Sequence, residues 1–295
     1  MKMELDKFYT KHEVAGSCYS RLMLTLNIDP RDTFLEPTAG NGVFLDFLHR
    51  YEAYDLKPED SRIKQMDIFD FSPKKHDYVT IGNPPFGKRS RLAISIFNHV
   101  SKFSNVVAFI LPVSFVKYNV QSKLDPDFKL AFNGFLPENS FLVNGKPYDV
   151  NCVFQIWVRK GSKYDQDIDD LRIYKRPSIK TPDLKIWQYN ATDEAFGTVD
   201  EDWEIAVYRQ GFKDYTKKFY QTDKQTVINE MSGKATGKKV QFFFIKPLTK
   251  QARKIVMDMD YERLAMGNTS TPGFGKADFI MAYEELKKAA NEAAN

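Results

Sequence analysis

The chain of 295 residues has room for about two domains of ~150 residues, or one enlarged one, which excludes peptide-scale and metal-dependent miniproteins. Hydrophobic residues at 42% and charged residues at 28% fit a packed globular chain and exclude disorder as its organising state. The net charge of +4 is too small to name a partner, but from Ile205 to Met257 twelve basic residues stand against three acidic ones. A mildly acidic body thus carries a basic segment late in the chain.

The two cysteines, Cys18 and Cys152, lie far apart among apolar neighbours, so neither a disulfide framework nor a cysteine zinc site is expected. A reducing, cytoplasmic compartment is the default that follows. The first residues, MKMELDKFYTKHE, contain no apolar signal core, and no stretch reaches the ~20 apolar residues that span a bilayer. The expectation is an unexported chain with no membrane partner.

Short apolar runs at Thr33–Leu35, Tyr51–Tyr54, Tyr78–Ile81 and Val106–Leu111 predict strands buried on both faces. Helical periods lie between them, as in Arg91–Phe103, where Leu92, Ile96, Val100 and Phe103 share one stripe. This alternation predicts an α/β fold with a mostly parallel sheet. Further on, Ser140–Val143 and Cys152–Val158 are expected to pair as a hairpin across Asn144–Asp149, giving an antiparallel edge. The polar stretch Gly161–Asp170 reads as the boundary of the first unit, which gives domains 1–160 and 171–295. Beyond it come strand-like pieces at Trp203–Tyr208 and Val240–Ile245, and a final helix over Gly275–Asn295 with Phe279, Tyr283 and Leu286 as its apolar face.

Residues suited to chemistry gather at the predicted strand ends. Glu36-Pro37-Thr38-Ala39-Gly40-Asn41-Gly42 is a tight glycine turn after the first strand, followed by a helical pattern at Val43–Leu48; such a turn lets a flat ligand lie over the strand ends. It would equally serve as a plain strand-to-helix turn. Nineteen residues after Glu36, Asp55 ends the second strand, where a carboxylate can accept from both hydroxyls of a ribose. Asp67, twelve residues further, heads Asp67-Ile68-Phe69-Asp70, where it could accept from an exocyclic amine or cap a helix. At the fourth strand end stands Asn83-Pro84-Pro85-Phe86. Prolines lack amide hydrogens and fix φ, so the Asn83 carboxamide oxygen and the Pro84 carbonyl can together accept both hydrogens of a planar amine beside the π face of Phe86.

In that order, Glu36–Gly42, Asp55, Asp67 and Asn83–Phe86 resemble the S-adenosylmethionine-dependent methyltransferases that modify the exocyclic N6 of adenine, the amino-DNA methyltransferases with a gamma-like order of motifs. Asp6–Thr10 is similar to that family's N-terminal motif; Phe109–Pro112 and Val153–Trp157 are similar to its later strand motifs. The likeness covers about residues 6 to 160. It implies a Rossmann-like class I methyltransferase fold, with a mostly parallel seven-stranded sheet, an antiparallel edge strand and a smaller C-terminal α+β region for target recognition. It also implies roles: Phe8, Tyr9 and Thr10 at the methionine end of the cofactor, Glu36 facing its ammonium, and Pro37 and Ala39–Gly42 beneath it. Asp55 would hold the ribose, and Asp67 the cofactor's adenine amine, with Leu56 and Ile68 packed on its ring. Asn83, Pro84, Pro85 and Phe86 would hold the target base, with Asn83 also touching the cofactor and with Phe141 or Tyr148 as the second stacking face. One departure is Phe86, where many DNA enzymes of this arrangement carry Tyr.

The function implied is site-specific methylation of adenine in DNA, with duplex DNA favoured over RNA and a restriction-modification setting among the family's uses. An RNA adenine methyltransferase, a methyltransferase for a protein glutamine amide and a catalytically silent nucleic-acid-binding module are the rivals. The glutamine reading is the weakest, because its users carry Tyr after the prolines and lack an appended basic domain. No metal site is expected, and His12, His49, His76 and His99 read as surface or packing residues. Lys88, Arg89 and Arg91 could clamp phosphates flanking the target. In the basic segment, Tyr208, Phe212, Tyr215, Phe219, Tyr220 and Phe242–Phe244 are either stacking platforms for nucleic acid or ordinary core.

Overall fold

The computed structural model describes residues 8–74, 77–234, 237–268 and 271–293, so Asp6, Lys7 and His76 lie outside the described residues. It divides into two compact units, Met1–Lys175 and Arg176–Asn295.

The first unit runs β1 (Tyr9–Thr10), α1 (His12–Leu26), β2 (Phe34–Glu36), β3 (Tyr51–Asp55), β4 (Lys64–Gln65), β5 (Tyr78–Gly82), α2 (Arg91–Val100), β6 (Ser104–Pro112), α3 (Tyr118–Gln121), β7 (Phe128–Phe135), β8 (Phe141–Val143), β9 (Lys146–Tyr148) and β10 (Cys152–Arg159). Its main sheet has seven strands in the order β4-β3-β2-β5-β6-β10-β7. The pairs from β4 through β6 are parallel, and β10 runs antiparallel to both β6 and β7. This is the strand order of a Rossmann-like class I methyltransferase fold. The antiparallel strand expected at that side of the sheet is present, with β7 paired along its outer side.

Strands covered on both faces carry continuous apolar runs, and successive side chains go to opposite layers. In β6, Val106, Ala108 and Ile110 join the cluster that includes Val14, Ala15 and Leu22 of α1, while Val107, Phe109 and Leu111 join the cluster of Ala93, Ile96 and Phe97 of α2. The same division runs along β10, with Phe154 and Ile156 on the first side and Val153 and Trp157 on the second. Each such fully buried large apolar side chain contributes about 1.5 to 3 kcal/mol, so this alternation holds the sheet against both helical layers.

Three expectations are corrected. The hairpin across Asn144–Asp149 does not form: β8 turns at Asn144-Gly145 into β9 and joins β1 in a separate three-stranded sheet, leaving β10 to pair with β6 and β7. The helical pattern at Val43–Leu48 is a short 3-10 helix, Val43–Phe47. The polar stretch 161–170 belongs to the first unit. Lys129 Nζ donates to the Ile168 carbonyl at 3.0 Å, and the Arg172 guanidinium, 9% exposed, donates to the carbonyls of Gln121, Leu124, Asp125 and Phe128. A buried guanidinium can be left so only when its hydrogens are matched by acceptors.

The second unit contains β11 (Leu184–Tyr189), β12 (Ile205–Gln210), β13 (Lys218–Tyr220), α4 (Lys224–Ser232), β14 (Gln241–Pro247), α5 (Lys250–Asp258), α6 (Tyr261–Ala265) and α7 (Lys276–Glu292). Its antiparallel sheet has four strands, ordered β11-β14-β12-β13. Tyr208, Tyr215, Phe219 and Phe242–Phe244 are buried in its core, which removes them as stacking platforms; Phe212 and Tyr220 are exposed. Several of the segment's cations are also matched, by Lys213–Glu230, Lys224–Asp200, Lys239–Asp193, Lys246–Asp202 and Arg253–Glu204 ion pairs. Phe279 and Tyr283 of α7 are core, whereas Leu286 is 41% exposed, contrary to its expected place on the apolar face. No helix among the described residues is long and apolar enough to cross a membrane.

Candidate active site

Strand order reverses between β2 and β5, and open α/β sheets leave a crevice beyond the carboxyl ends of such neighbours. The residues that leave those two ends carry three buried polar atoms with no hydrogen-bond partner among the described residues: Glu36 Oε2, Thr38 Oγ1 and Asn83 Oδ1. A buried polar atom without a partner is costly, so three at one crevice mark a place built for a ligand's donors. Thr38 had no sequence signal beyond its place in the glycine turn.

Glu36 is 2% exposed at the end of β2. Burial pushes its carboxyl well above the usual range, and the nearby Asp55 carboxylate adds to the shift while Arg62 opposes it. Beyond it, Gly40 and Gly42 adopt left-handed φ of 54° and 75°, which a side chain would strain. At Gly42 a Cβ would also meet Leu45 Cδ1 at 3.3 Å. Asp55 lies at the neighbouring strand end and ties the turn down: its Oδ2 accepts the Gly40 N–H at 2.8 Å, and its Oδ1 accepts the Lys57 N–H at 2.8 Å. Each carboxylate oxygen retains a second lone-pair direction for a further donor. Pro37 and Ala39 are buried beneath the turn, and Asn41 is exposed.

Over this turn lies β1. The Tyr9 hydroxyl donates to Glu59 Oε1 at 2.5 Å, bridging β1 to the loop after β3, a link with no signal in the sequence. Thr10, buried at 4%, pairs with Phe141 of β8. The Asn83 amide reaches the same strand, donating from Nδ2 to the Phe8 carbonyl and to Thr10 Oγ1, both at 3.1 Å. A carbonyl can only accept, so this contact fixes which end of the carboxamide is nitrogen and leaves Oδ1 as the orphaned acceptor.

Pro84 is buried, and Pro85 and Phe86 are half-buried. The Phe86 ring stacks on Phe8 at 6.3 Å between centroids, and Tyr148 of β9 stacks on Phe8 at 5.4 Å. Of the two candidates for a second stacking face, Phe141 is ruled out: it is 0% exposed, packed in the core and edge-on to Phe8. Tyr148 is 46% exposed. After the loop, Gly87, Arg89 and Ser90 adopt left-handed φ of 66°, 55° and 61°. For the two residues with a Cβ this costs roughly 1 to 2 kcal/mol each, and the Ser90 and Ser114 hydroxyls, 2.9 Å apart, hold the turn. The turn leaves Lys88 and Arg89 exposed and starts α2 at Arg91, also exposed.

Asp67 lies past the short β4 and caps the 3-10 helix Ile68–Asp70 through Oδ1, which accepts the Phe69 N–H at 3.0 Å. The capping and amine-accepting roles are compatible, because Oδ2 takes no part in the cap. Ile68 is buried and Leu56 is 54% exposed, so the predicted pair differ in environment.

No family model and no curated protein sequence matches the chain. Solved structures do resemble parts of it. A Pyrococcus horikoshii protein proposed to be an RNA methyltransferase aligns at 16% identity and a TM-score of 0.43, covering 54% of this chain and 89% of its own. The 23S rRNA methyltransferase ErmE aligns at 12% identity and a TM-score of 0.37, covering 52% of this chain and 70% of its own. The M protein of the EcoKI type I restriction enzyme aligns at 14% identity and a TM-score of 0.41, covering 58% of this chain and 47% of its own.

Proposed function

We propose that the chain is an S-adenosylmethionine-dependent methyltransferase that modifies the N6 amine of adenine in DNA, acting on a base turned out of the duplex. The observation that carries this reading is Asn83: both partners of its Nδ2 are protein acceptors, and its buried Oδ1 has none. An acceptor in that state selects a ligand with an N–H donor, such as an exocyclic amine, over a carbonyl.

When bound, the cofactor supplies a methyl group on a sulfonium centre. Glu36 fits its ammonium, as a buried carboxylate with an orphaned oxygen. The Ala39–Gly42 turn fits the close approach of a ligand, and Asp55 fits a ribose through its remaining lone pairs. The backbone of Phe8, with Tyr9 and Thr10, lines the methionine end, and Asp67 Oδ2 takes the cofactor's adenine amine with Ile68 and Leu56 beside the ring. Asn83 Oδ1 and the Pro84 carbonyl then accept the two hydrogens of the target amine. Holding both hydrogens draws electron density back toward a nitrogen whose lone pair is otherwise delocalised into the ring. Positioning and charge complementarity supply the catalysis, with no general base required.

Turning a base out of a duplex costs a few kcal/mol. Stacking on one aromatic returns about 1 to 3 kcal/mol, so Phe86 needs help, and Tyr148 is the second face. Lys88 and Arg89, exposed beside Phe86, hold the flanking phosphates. RNA is the second reading, favoured by Phe86 standing where many DNA enzymes carry Tyr. Calorimetry with S-adenosylmethionine followed by transfer of a labelled methyl group to duplex DNA and to RNA tests the proposal. Cofactor binding with DNA labelling supports it, RNA labelling alone promotes the second reading, and binding without transfer makes the chain a silent module.

A further inference from the structure

We infer that the Phe8 ring is a stand-in for the target base, covering the aromatic platform until an incoming base displaces it, so that every base meets the same displacement cost before it reaches Asn83. The inference rests on the reading of Asn83 and Phe86 as the target site. Phe8 stacks on Phe86 at 6.3 Å with planes 23° apart, and on Tyr148 at 5.4 Å with planes 24° apart. The two rings assigned to grip the base therefore meet through a third ring of the same chain. A base lying on the Phe86 platform that Phe8 covers cannot share it with that ring.

The local geometry lets the ring leave without dismantling the site. The Phe8 carbonyl accepts from Asn83, and the strand that follows is held by the pairing of Tyr9 with Leu142 and Thr10 with Phe141. The backbone is thus anchored, and the half-buried ring packs against the core cluster that includes Phe141. Inward movement is blocked by the buried Phe141, which meets Phe8 edge-on at 6.3 Å, whereas Tyr148 lies at the surface. Rotation outward leaves Asn83 oriented by the same two acceptors.

Displacement has a consequence for affinity. An incoming base exchanges the stacks of Phe8 for its own, so the return from the platform is reduced by the stacks it breaks, for a nucleoside and a strand alike. Phosphates held by Lys88 and Arg89 then give a strand affinity that a nucleoside lacks.

The test compares the full-length wild type with Phe8→Ala and Phe8→Leu, using S-adenosylmethionine and either deoxyadenosine or a duplex containing the methylated site. At saturating S-adenosylmethionine, KM for deoxyadenosine and for duplex should fall by a common factor of roughly ten in Phe8→Ala, and by less in Phe8→Leu. KM unchanged or raised for both substrates, with methylation retained, overturns the role of Phe8 and leaves the target site standing. Wild-type protein that methylates neither substrate overturns the target site and this inference with it. A second readout does not need the truncated side chain: in Phe8→Trp, the emission of the introduced indole, taken against the wild type's 3 tryptophans, should shift to the red on adding duplex as the ring enters water. No shift at saturating duplex overturns displacement.

Discussion

The side-chain amide of Asn83 donates to the backbone carbonyl of Phe8 at 3.1 Å, across 75 positions of sequence. With the Thr10 hydroxyl as the second acceptor, this bond turns a group that could face a ligand either way into a fixed acceptor. Asn83→Ala should abolish methyl transfer while leaving cofactor affinity within a few fold, since its oxygen serves the target amine. Thr10→Val should lower kcat less than Asn83→Ala does, because it loosens the amide without removing it. Full activity of Asn83→Ala would remove the carboxamide from the mechanism.

Asp55 combines two duties, accepting backbone N–H groups from Gly40 and Lys57 and facing the crevice. Asp55→Ala should weaken cofactor binding by about 1.5 to 3 kcal/mol, the scale of hydrogen bonds to a charged group. Asp55→Asn keeps an acceptor for the turn and should lose less. Calorimetry on both, with melting curves to follow the turn, separates the duties; an unchanged dissociation constant in both would place the ribose elsewhere.

Glu36 makes stability and binding depend on pH in opposite senses. Its folded-state pKa lies above the ordinary value of 4.5, so over that interval the folded protein holds a proton that the unfolded chain has released. Stability from this group is therefore present below the ordinary value and is lost as pH rises through the raised one. Glu36→Gln should melt at or above the wild-type temperature near pH 8, lose that advantage near pH 4, and bind cofactor poorly at both. Wild-type affinity for the cationic cofactor should increase with pH as the carboxylate forms. Identical pH dependence of melting in the two proteins would show that Glu36 ionises freely.

In the basic segment, Lys234, Lys250 and Lys254 are exposed and carry no ion pair among the described residues, unlike Lys213 and Lys224. If this face meets phosphates, replacing the three by Ala should reduce the magnitude of the slope of log K against log salt by up to ~0.9 for each duplex DNA phosphate that is no longer neutralised, with cofactor binding unchanged. A retained slope would make them a solvated face.

The sheet is legible in the sequence where strands are buried on both sides, since Val106–Leu111 has no polar residue and Tyr78–Ile81 has only Thr80 among apolar neighbours. Pairing is less so. Asn144-Gly145, with left-handed φ of 50° and 74°, is a local turn signal hidden inside what reads as a longer connection, and β7, with mostly half-buried residues along the sheet edge, leaves no clear run. The aromatics of the basic segment behave likewise: charge and aromatic content along the chain do not reveal that Phe242–Phe244 are buried on β14 while lysines on either side reach Asp193 and Asp202. In the site, the glycines, carboxylates and prolines at the strand ends are readable because their residue types and spacing are local features of the sequence. The stacking of Phe8 on Phe86 is not, since nothing in the sequence relates the two.

Transfer of a methyl group to the N6 of adenine held by Asn83 is tested by incubating the wild type and Asn83→Ala with labelled S-adenosylmethionine and mixed-sequence duplex DNA, followed by digestion to nucleosides and chromatography. Label in N6-methyldeoxyadenosine with the wild type and none with Asn83→Ala is expected; label in another nucleoside, or equal label with both proteins, would contradict the assignment of Asn83.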